Sequence, residues 1–510
     1  EKLLQALATY KDTTNNPTGS WRYFRPVFAD RHAPCMAACP AGNNIREFLR
    51  LAAAGDDAAA LAAVKEENPL PSVCGRVCHH PCEAECSRGD AGEPLAPYLV
   101  ERHLGDSAAA NGLRLPAAMP STGKKAAVVG AGPSGLACAY HLALLGHSVT
   151  LFDANDKPGG MLRSGIPSYR LPREALDRDL GFINELKIDF VPNKRIESLG
   201  AFAGFDVVAL CIGAHESRPL GVDGDSAPGV WNGLGFLSKV NAGERPDIGA
   251  HAVVIGGGNT AMDCARAALR LGAKASVIYR RGEADMPALP DEIAEAREEG
   301  VVFDFHAVPV RIIAEAGRVT GVEFVRTAPG EPGPDGRRLP QPVAGSEFTV
   351  AASAVIAAVG ENPESAWLPG SLGARGGVPA DAITLRADKA DPAIFCAGDA
   401  AADASRTVSN AIGAGKRAAI AMDLYLKKRF ISADHFLAEC NVGEGGTLSM
   451  KAYKEGAPAV PVVKRSETNM AHVGGETRET AARRPAPERL GGFDEICAGL
   501  TDEQVRREAA

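Results

Sequence analysis

Two stretches of the chain share one pattern of hydrophobic and polar positions. Residues 126–153 begin with a short apolar strand, pass through a glycine loop into an Ala/Leu-rich helix, and end with a second apolar strand. Residues 252–281 repeat this order, and the glycine that follows the helix lies at the same distance from the loop in both stretches. Strand, helix and strand in this order are typical of parallel α/β units. The chain is therefore predicted to be an α/β protein with two doubly wound Rossmann-type domains.

The first glycine loop has the spacing of a dinucleotide-binding loop. Its first glycine permits a tight turn, its second lets the backbone approach a pyrophosphate, and its third allows the helix to pack closely on the strand. The helix N-terminus offers free N–H groups and a positive dipole end to that pyrophosphate. The carboxylate after the second strand can accept hydrogen bonds from a ribose hydroxyl. The candidate contacts are Gly130, Gly132, Pro133, Ser134, Gly135 and Asp153.

The second unit differs from the first where its second strand ends. Tyr279 stands in place of the carboxylate and is followed by Arg280 and Arg281. Guanidinium groups suit a 2′-phosphate, whereas a carboxylate suits a 2′-hydroxyl and repels a phosphate. We therefore expect FAD on the first unit and NADP(H) on the second; the alternative for the arginine pair is a solvated loop without a ligand. The loop contacts expected in the second unit are Gly256, Gly258, Asn259, Thr260 and Ala261.

A later strand and helix join the first unit. The apolar stretch before Gly398 and Asp399 leads into an Ala/Gly-rich helix, and in flavoproteins with two dinucleotide folds such a Gly-Asp turn binds the ribityl–phosphate part of FAD. The FAD-binding domain is thus expected to be split, with the NADP-binding domain inserted between its parts. Residues 207–220 and 354–364 are the expected connecting strands, and Gly360 in the second is a further candidate cofactor contact.

Six of the twelve cysteines lie between Cys35 and Cys86, and four of them are spaced at every fourth residue from Cys74 onward. On one continuous helix these four thiols would form a stripe about 18 Å long at a rise of about 1.5 Å per residue, too long for a single site. We expect Gly75 and Pro81 to interrupt the helix. Two short helices that meet at Gly55 would then bring the distant Cys35 segment close.

Disulfides, zinc and iron–sulfur clusters are the possible uses of these thiols. The N-terminal residues lack the apolar core of a secretory signal, so a disulfide framework is not expected. A structural zinc site needs only four ligands, usually in paired knuckles, and zinc has no redox chemistry. Six cysteines beside a flavin fold favour iron–sulfur clusters, because a flavin needs a one-electron outlet. The cysteines inside apolar strand and helix patterns, Cys138, Cys211, Cys264 and Cys396, are expected to be buried core residues.

Four segments together resemble the small (β) subunit of NADPH-dependent glutamate synthase. They read KPGGMLRSGIPSYRLPRE, GGGNTAMDCAR, YRRGEADMPA and NPLPSVCGRVCHHPCEAEC, and the resemblance covers residues 30–435. The family includes the N-terminal half of dihydropyrimidine dehydrogenase and the large subunit of NADH-dependent ferredoxin:NADP oxidoreductase. It implies an N-terminal helical domain with iron–sulfur clusters, and FAD that passes electrons between NADP(H) and those clusters. It also implies that Gly160, Met161 and Arg170 contact FAD.

The resemblance also implies cluster ligands. The positions that match Cys39, Cys78 and Cys82 hold one 4Fe-4S cluster, with Glu101 from a following helix as the candidate fourth ligand; the alternative for Glu101 is an ordinary exposed helix carboxylate. Cys74 matches a position that is usually not a ligand. A second cluster would use Cys35 and Cys86, but the upstream C-x2-C of that cluster has no counterpart in this sequence.

The predicted organisation has an N-terminal iron–sulfur domain, a split FAD-binding domain, an inserted NADP-binding domain and a C-terminal tail. The last segment of the tail, GLTDEQVRREAA, resembles a phrase that leads into a ferredoxin-like module in longer relatives, and we expect such a module to follow. The corresponding ranges are 1–120, then 121–245 with 361–435, then 246–360, and finally 436–510.

Charge and composition narrow the functional classes. The formal net charge of −8 argues against a nucleic-acid binder, and the longest apolar runs are too short to cross a bilayer. We expect a cytoplasmic electron-transfer flavoprotein whose partner is a ferredoxin or another subunit, such as a glutamate synthase large subunit or a 2-oxoacid:ferredoxin oxidoreductase. The alternatives are a flavin disulfide reductase, which would need a paired-cysteine motif beside the flavin, and a structural subunit without cofactors. No nucleophile–base pair is recognised, so no catalytic side chain is named.

Overall fold

The computed structural model describes most of the chain after residue 30. The residues just before Cys35 on which the second-cluster expectation depends, 22–30, lie outside the described residues. The described ranges are 31–108, 115–333, 336–370, 372–373, 377–388, 392–402, 404–429, 435–436, 440–442, 447–456, 460–468, 470, 474 and 477–510.

Helices occupy both ends of the described chain and alternate with strands in its middle. The helices are α1 Pro34–Ala38, α2 Ile45–Ala53, α3 Asp57–Lys65, α4 Pro71–Val77, α5 Pro81–Ala84, α6 Pro97–Asp106, α7 Pro133–Leu144, α8 Met161–Ser164, α9 Arg173–Asp179, α10 Phe182–Glu185, α11 Gly233–Asn241, α12 Asn259–Arg270, α13 Pro290–Glu298, α14 Val408–Leu426, α15 Met450–Glu455, α16 Ala486–Arg489 and α17 Asp502–Ala509. The strands are β1 Lys125–Val129, β2 Ser148–Phe152, β3 Asp189–Val191, β4 Val207–Leu210, β5 Glu216–Ser217, β6 Val230–Asn232, β7 His251–Ile255, β8 Lys274–Tyr279, β9 Val302–Phe305, β10 Ala307–Glu315, β11 Arg318–Pro332, β12 Arg338–Ala351, β13 Ala354–Ala357, β14 Glu361–Asn362, β15 Arg386–Asp388 and β16 Ala393–Cys396.

The first sheet gathers the ends of several strands at one edge. Its order is β15-β16-β4-β1-β2-β3, with β15 antiparallel and the other strands parallel. Val129 is paired with both Phe152 and Leu210, and Leu210 is paired with Cys396. Because these parallel strands end in register, the loops that follow them share one edge of the sheet, where open α/β sheets bind ligands.

The second sheet is parallel throughout, in the order β6-β13-β7-β8-β9. An antiparallel sheet, β10-β11-β12, packs beside it, and the short ribbon of β5 with β14 carries the chain between the two parallel sheets. Strand β6 and helix α11 lie within residues 121–245, the range predicted for the first part of the FAD-binding domain. Strand β6 belongs to the second sheet, and β5 of the connecting ribbon precedes it. The chain therefore enters the second sheet at Val230, before the predicted boundary at residue 245.

The N-terminal helices follow the predicted pattern with one correction. Helices α2 and α3 meet at Gly55, which has a positive φ of 82°, as expected. Pro81 begins α5, but Gly75 lies inside α4 and does not interrupt it. A Cβ atom at Gly75 would lie 2.4 Å from Cβ of Arg102 on α6, so glycine is needed there for close helix packing. The predicted break is wrong at Gly75, and α4 ends at Val77.

The C-terminal segment packs against the N-terminal helices and both parallel sheets. Glu495 forms ion pairs with Arg76 and Arg102 of the N-terminal helices, at 2.7 Å and 2.9 Å. Arg489 pairs with Glu298 on α13 at 2.9 Å. The final helix, α17, packs on α2 and α6, and its Thr501–Gln504 capping box defines its start. Among the described residues, no helix has the length and apolar character needed to span a lipid bilayer.

Candidate functional site

A cavity of about 590 Å³ lies at the edge where the two parallel sheets face each other. It is partly open to solvent and combines loops from both glycine-loop units with Val77 and His79 of the thiol segment. The predicted contacts that line it are Gly130, Gly132, Pro133, Ser134, Asp153, Gly160, Met161, Arg170, Asn259, Thr260 and Asp399. The other predicted contacts, Gly135, Gly256, Gly258, Ala261, Arg280, Arg281, Gly360 and Gly398, lie outside its lining.

Two of the three glycines of the first loop are packed so tightly that a side chain cannot replace a hydrogen atom, whereas a Cβ at Gly132 would meet nothing closer than 4.0 Å. A Cβ atom at Gly130, whose φ is 100°, would lie 2.3 Å from the carbonyl oxygen of Cys211. A Cβ at Gly135 would lie 1.7 Å from the carbonyl oxygen of Gly130. A Cβ at Gly160 would lie 2.8 Å from Cα of Gly132, so the 160 turn rests on the loop. The open space at Gly132, in front of the helix N-terminus at Pro133, suits a pyrophosphate.

Asp153 and its neighbours form a rigid end to strand β2. One oxygen of Asp153 accepts a hydrogen bond from the backbone N–H of Ala131 at 2.6 Å. The other accepts from the backbone N–H of Asn155 at 2.8 Å and from its side-chain amide at 2.9 Å. These bonds orient a buried carboxylate at the cavity wall, where its remaining lone pairs can accept from sugar hydroxyls.

Asp399 offers a second acceptor to the same cavity. Gly398 has a φ of 72°, and a Cβ there would lie 2.6 Å from Cβ of Ser134, so the turn is pressed against the first glycine loop. Oδ1 of Asp399 is buried and has no hydrogen-bond partner among the described residues. Burial raises the pKa of this carboxyl to about 6. An orphaned acceptor facing a cavity fits the hydroxyl-rich ribityl chain of FAD.

Arg170 links the two units as well as lining the cavity. Its guanidinium pairs with Asp263 on α12 at 2.8 Å and with Glu292 on α13 at 2.6 Å. The Arg170 side chain is nearly inaccessible, and Tyr169 before it is fully buried. The structure thus gives Arg170 two carboxylate partners in the second unit, and its contact with FAD stays a prediction.

The second glycine loop repeats the geometry of the first with different side chains. A Cβ at Gly256 would lie 2.2 Å from the carbonyl oxygen of Ala358, whereas a Cβ at Gly258 would meet nothing closer than 3.9 Å. Gly258 therefore leaves open space in front of the helix N-terminus. The side chain of Asn259 accepts a hydrogen bond from the backbone N–H of Leu289 at 3.0 Å and ties the loop to the next helix.

The two arginines after β8 have different surroundings. Arg280 is exposed, and its guanidinium has no hydrogen-bond or ion-pair partner among the described residues. Arg281 is buried, and its Nε donates to the carbonyl oxygen of Arg338 on β12 at 2.8 Å. The guanidinium of Arg280 can therefore reach a ligand in solvent, whereas the guanidinium of Arg281 also holds the neighbouring strand β12.

The predicted cluster thiols lie near one another; Cys82 and Cys86 are buried, and Cys35, Cys39 and Cys78 are partly buried. Burial raises the pKa of the Cys39 thiol to about 12, and the charges of Glu101 and Cys78 act in the same direction. The pKa of Cys82 is also raised, first by burial and then by Cys39 and Cys78. Burial raises the pKa of Cys35 to about 12, and Cys86 adds to this effect. These mutual effects show that the thiols lie close to one another, and the irons of a cluster would bind them as thiolates.

Glu101 is the predicted ligand whose surroundings could not be anticipated. It is 6% exposed, so its interpretation as an ordinary exposed carboxylate is wrong. Its Oε1 accepts from the side-chain amides of Asn43 at 2.9 Å and Asn68 at 2.7 Å. Burial raises the pKa of Glu101 to about 7. Its charge acts on Cys39 and Cys78, so the carboxylate lies beside the predicted cluster thiols.

Comparisons with known proteins agree with this arrangement. Residues 124–415 match the family model "Pyridine nucleotide-disulphide oxidoreductase", and residues 28–113 match the model "Dihydropyrimidine dehydrogenase domain II, 4Fe-4S cluster". The chain belongs to the pyridine nucleotide-disulphide oxidoreductase family. Its N-terminal helices and glutamate synthase-like motifs place it in the branch related to the glutamate synthase small subunit.

Several relatives cover most of the chain. The NADPH-Fe(3+) oxidoreductase subunit beta of Geobacter sulfurreducens is 35% identical over 94% of this chain and 75% of that protein. The glutamate synthase [NADPH] small chain of Escherichia coli is 37% identical over 76% of this chain and 87% of that protein. Mycobacterium tuberculosis FprA in complex with NADPH has the same fold, with 18% identity and a TM-score of 0.50 over 68% of this chain and 98% of that one.

These findings confirm the predicted resemblance, the α/β fold class with its N-terminal iron–sulfur domain, and the activity as an oxidoreductase. They also confirm the predicted cofactors FAD, NADP(H) and a 4Fe-4S cluster. Sequence reasoning missed His79, Asp263 and Arg406, which also line the cavity. Only His79 carried a signal, because it directly follows a predicted cluster ligand.

Proposed function

We propose that this chain is a subunit of a cytoplasmic electron-transfer complex, in which it either oxidises NADPH or reduces NADP. We also propose that Cys39, Cys78, Cys82 and Glu101 hold its 4Fe-4S cluster. The observation that carries the proposal is the shared cavity. Loops of both units and the residues beside Cys78 line one space, so a flavin bound there would lie between the nicotinamide site and the thiols. NADP(H) chemistry supports the proposed cytoplasmic location.

The chain's own residues act in this proposal by binding and orienting cofactors. The loop from Gly130 and the turn at Gly398 would bind FAD, Asp153 and Asp399 would accept from its hydroxyl groups, and Arg280 would bind a 2′-phosphate. Bound FAD supplies hydride chemistry, and the cluster supplies single-electron transfer. Arg170 fixes the two units against each other through its two carboxylate partners.

The C-terminal tail helps to distinguish two candidate complexes. The Geobacter protein matches 94% of this chain and so includes most of the tail, whereas the glutamate synthase small chain matches 76%. Both relatives are named as subunits. The first candidate is therefore a complex in which this chain exchanges electrons with a metal-reducing, ferredoxin-dependent or 2-oxoacid-oxidising subunit. The second candidate is a glutamate synthase, in which this chain supplies electrons to the large subunit.

One substitution tests the cluster. Cys78→Ser should lower iron and acid-labile sulfide while FAD stays bound, because the thiol is a ligand and the flavin loops are untouched. Cys497→Ser is the matched control, since its half-buried thiol is outside the predicted ligands. Unchanged iron in the Cys78→Ser protein would remove the ligand assignment.

Anaerobic co-purification tests the complex. We expect a partner protein with further redox centres to co-purify with the native chain. The purified complex should contain FAD, iron and sulfide in a fixed ratio. Isolation of the chain alone, with full turnover between NADPH and its physiological acceptor, would contradict a subunit role. A partner with a glutaminase domain would favour the glutamate synthase candidate.

A further inference from the structure

A buried lysine contacts the turn that carries one of the predicted cluster ligands. Lys416 on α14 is inaccessible to solvent, and its ammonium donates to the carbonyl oxygen of Ala41 at 2.5 Å. Ala41 lies in a tight turn, in which the backbone N–H of Gly42 donates to the carbonyl oxygen of Cys39 at 2.9 Å. A Cβ atom at Gly42, whose φ is 69°, would lie 2.6 Å from Nζ of Lys416. The charge of Lys416 therefore lies against residues 39–42, the Cys39 turn.

Helix α14 holds this charge in place by close backbone packing. A Cβ at Gly413 would lie 2.1 Å from the carbonyl oxygen of Pro40, within the Cys39 turn. A Cβ at Gly415 would lie 2.1 Å from the carbonyl oxygen of Ser134, in the first glycine loop. The helix thus contacts the Cys39 turn and the glycine loop through neighbouring residues, and Lys416 follows directly after them.

Glu67 is the anionic partner of Lys416. Its Oε2 lies 2.6 Å from Nζ of Lys416, and both side chains are almost completely buried. The same carboxylate accepts from the hydroxyl of Ser449 at 2.6 Å and from the backbone N–H groups of Met450 and Lys451 at 2.7 Å and 3.1 Å. Such donors stabilise a charged carboxylate. The anion is therefore held by the start of α15, and the cation is the member of the pair that donates to the Cys39 turn.

We propose that Lys416 is a positioning residue that holds the Cys39 turn and raises the reduction potential of the iron–sulfur cluster through its buried positive charge. This inference rests on the proposed role of Cys39 as a cluster ligand. Burial raises the pKa of the Cys39 thiol to about 12, and the charge of Lys416 opposes this increase. Reduction adds one negative charge to the cluster and its ligands, and a nearby cation stabilises that charge.

The two members of the pair should act on the potential with opposite signs. Water and salt screen an exposed charge, but they screen buried charges such as Lys416 and Glu67 much less. Loss of the Lys416 charge leaves a buried carboxylate, which disfavours the reduced state. Loss of the Glu67 charge leaves the buried cation, which favours the reduced state. A purely structural role predicts instead that both changes loosen the Cys39 turn and act in the same direction.

The test is an anaerobic redox titration of the holoenzyme with dithionite, in which EPR detects the reduced cluster. Dithionite supplies the single electron, and no bond in the protein forms or breaks. Lys416→Met should make electron acceptance roughly tenfold less favourable, a shift of about 59 mV to more negative potential. Glu67→Gln should shift the potential in the positive direction. Lys427→Met is the matched control and should leave the potential unchanged, because it removes a paired cation about 16 Å further along the same helix.

Glu67→Gln keeps the proposal testable if Lys416→Met fails to load its cluster. Its amide oxygen can still accept from Lys416 and from the backbone N–H of Met450, so the contact between the lysine and the Cys39 turn is retained. A potential that is unchanged or more negative in Glu67→Gln, or unchanged in Lys416→Met, would overturn the proposal. Unchanged iron and sulfide in Cys39→Ser would instead overturn the ligand assignment, so the two failures are distinguishable.

Discussion

The two glycine-loop units have nearly the same backbone and different ends. In both, the first glycine has a positive φ and presses against the carbonyl of a neighbouring strand's end, Cys211 in one unit and Ala358 in the other. The third loop position differs, because a Cβ at Gly135 would lie 1.7 Å from the carbonyl oxygen of Gly130, whereas the second unit accommodates Ala261 as a buried residue. The two loops therefore share their backbone geometry, but only the second accommodates a side chain at the third position.

The greater difference lies after the second strand of each unit. Asp153 presents a carboxylate held by two backbone N–H groups. Its counterpart, Tyr279, packs its ring against Gly257 and donates its hydroxyl to the carbonyl of Asp285. One unit thus ends in an acceptor and the other in an apolar ring followed by guanidinium groups. This comparison supports the prediction that the residues at the end of the second strand, and not the glycine loop, set the choice of nucleotide.

The largest combined effect, on stability and on FAD content together, is expected from Gly135→Ala. The added Cβ would lie 1.7 Å from the carbonyl oxygen of Gly130, so the helix or the loop must move. We expect the free energy of unfolding to fall by about 3 kcal/mol and FAD to be lost. Ala261→Gly, at the matching position, should cost only about 1 kcal/mol through helix propensity. Urea unfolding and FAD content measure both; equal effects would contradict the difference between the loops.

The next effect concerns the link between the units. Arg170→Ala leaves Asp263 and Glu292 without their buried cation and should cost about 3–5 kcal/mol. Arg163→Ala, which breaks a pair with the exposed Asp177, should cost about 0–1 kcal/mol. Thermal unfolding of the two holoproteins compares them. Loss of FAD from Arg170→Ala with unchanged stability would instead favour the predicted contact between Arg170 and FAD.

The local parts of this comparison could be read from the sequence. Glycine spacing reflects backbone geometry within a few residues, so the turn at Gly130 and the acceptor at Asp153 were predictable. The pairing of Arg170 with Asp263 was not, because it joins positions 93 residues apart in the chain. The predicted helix break at Gly75 was wrong for a related reason. Glycine is needed there because Arg102 of another helix packs against it, and the local sequence does not reveal this contact.

The thiol segment shows the same limit. The spacing of the cysteines and the family resemblance indicated which thiols belong together. The resemblance named Glu101 as a candidate ligand, with an exposed helix carboxylate as the alternative. Its burial between Asn43 and Asn68 depends on tertiary packing, which the local sequence does not reveal.

A smaller effect distinguishes the two arginines. Arg280→Ala should lower kcat/KM for NADPH by about 10- to 100-fold and leave NADH nearly unchanged, because only NADPH has a 2′-phosphate. Arg281→Ala should also lower stability, since it removes the donor to the carbonyl of Arg338. Steady-state kinetics with both coenzymes provide the measurement. Equal losses for NADPH and NADH in Arg280→Ala would refute the 2′-phosphate assignment.

The smallest expected effect tests the ring that replaces the carboxylate. Tyr279→Phe removes one hydrogen bond to the carbonyl of Asp285 but keeps the ring beside Gly257. The free energy of unfolding should fall by about 1 kcal/mol, and the ratio of kcat/KM for NADPH to that for NADH should stay the same. Tyr279→Asp, which imitates Asp153, should lower that ratio because a carboxylate repels the 2′-phosphate. A ratio that falls equally in both variants would show that the hydroxyl, and not the absence of a carboxylate, governs coenzyme choice in the second unit.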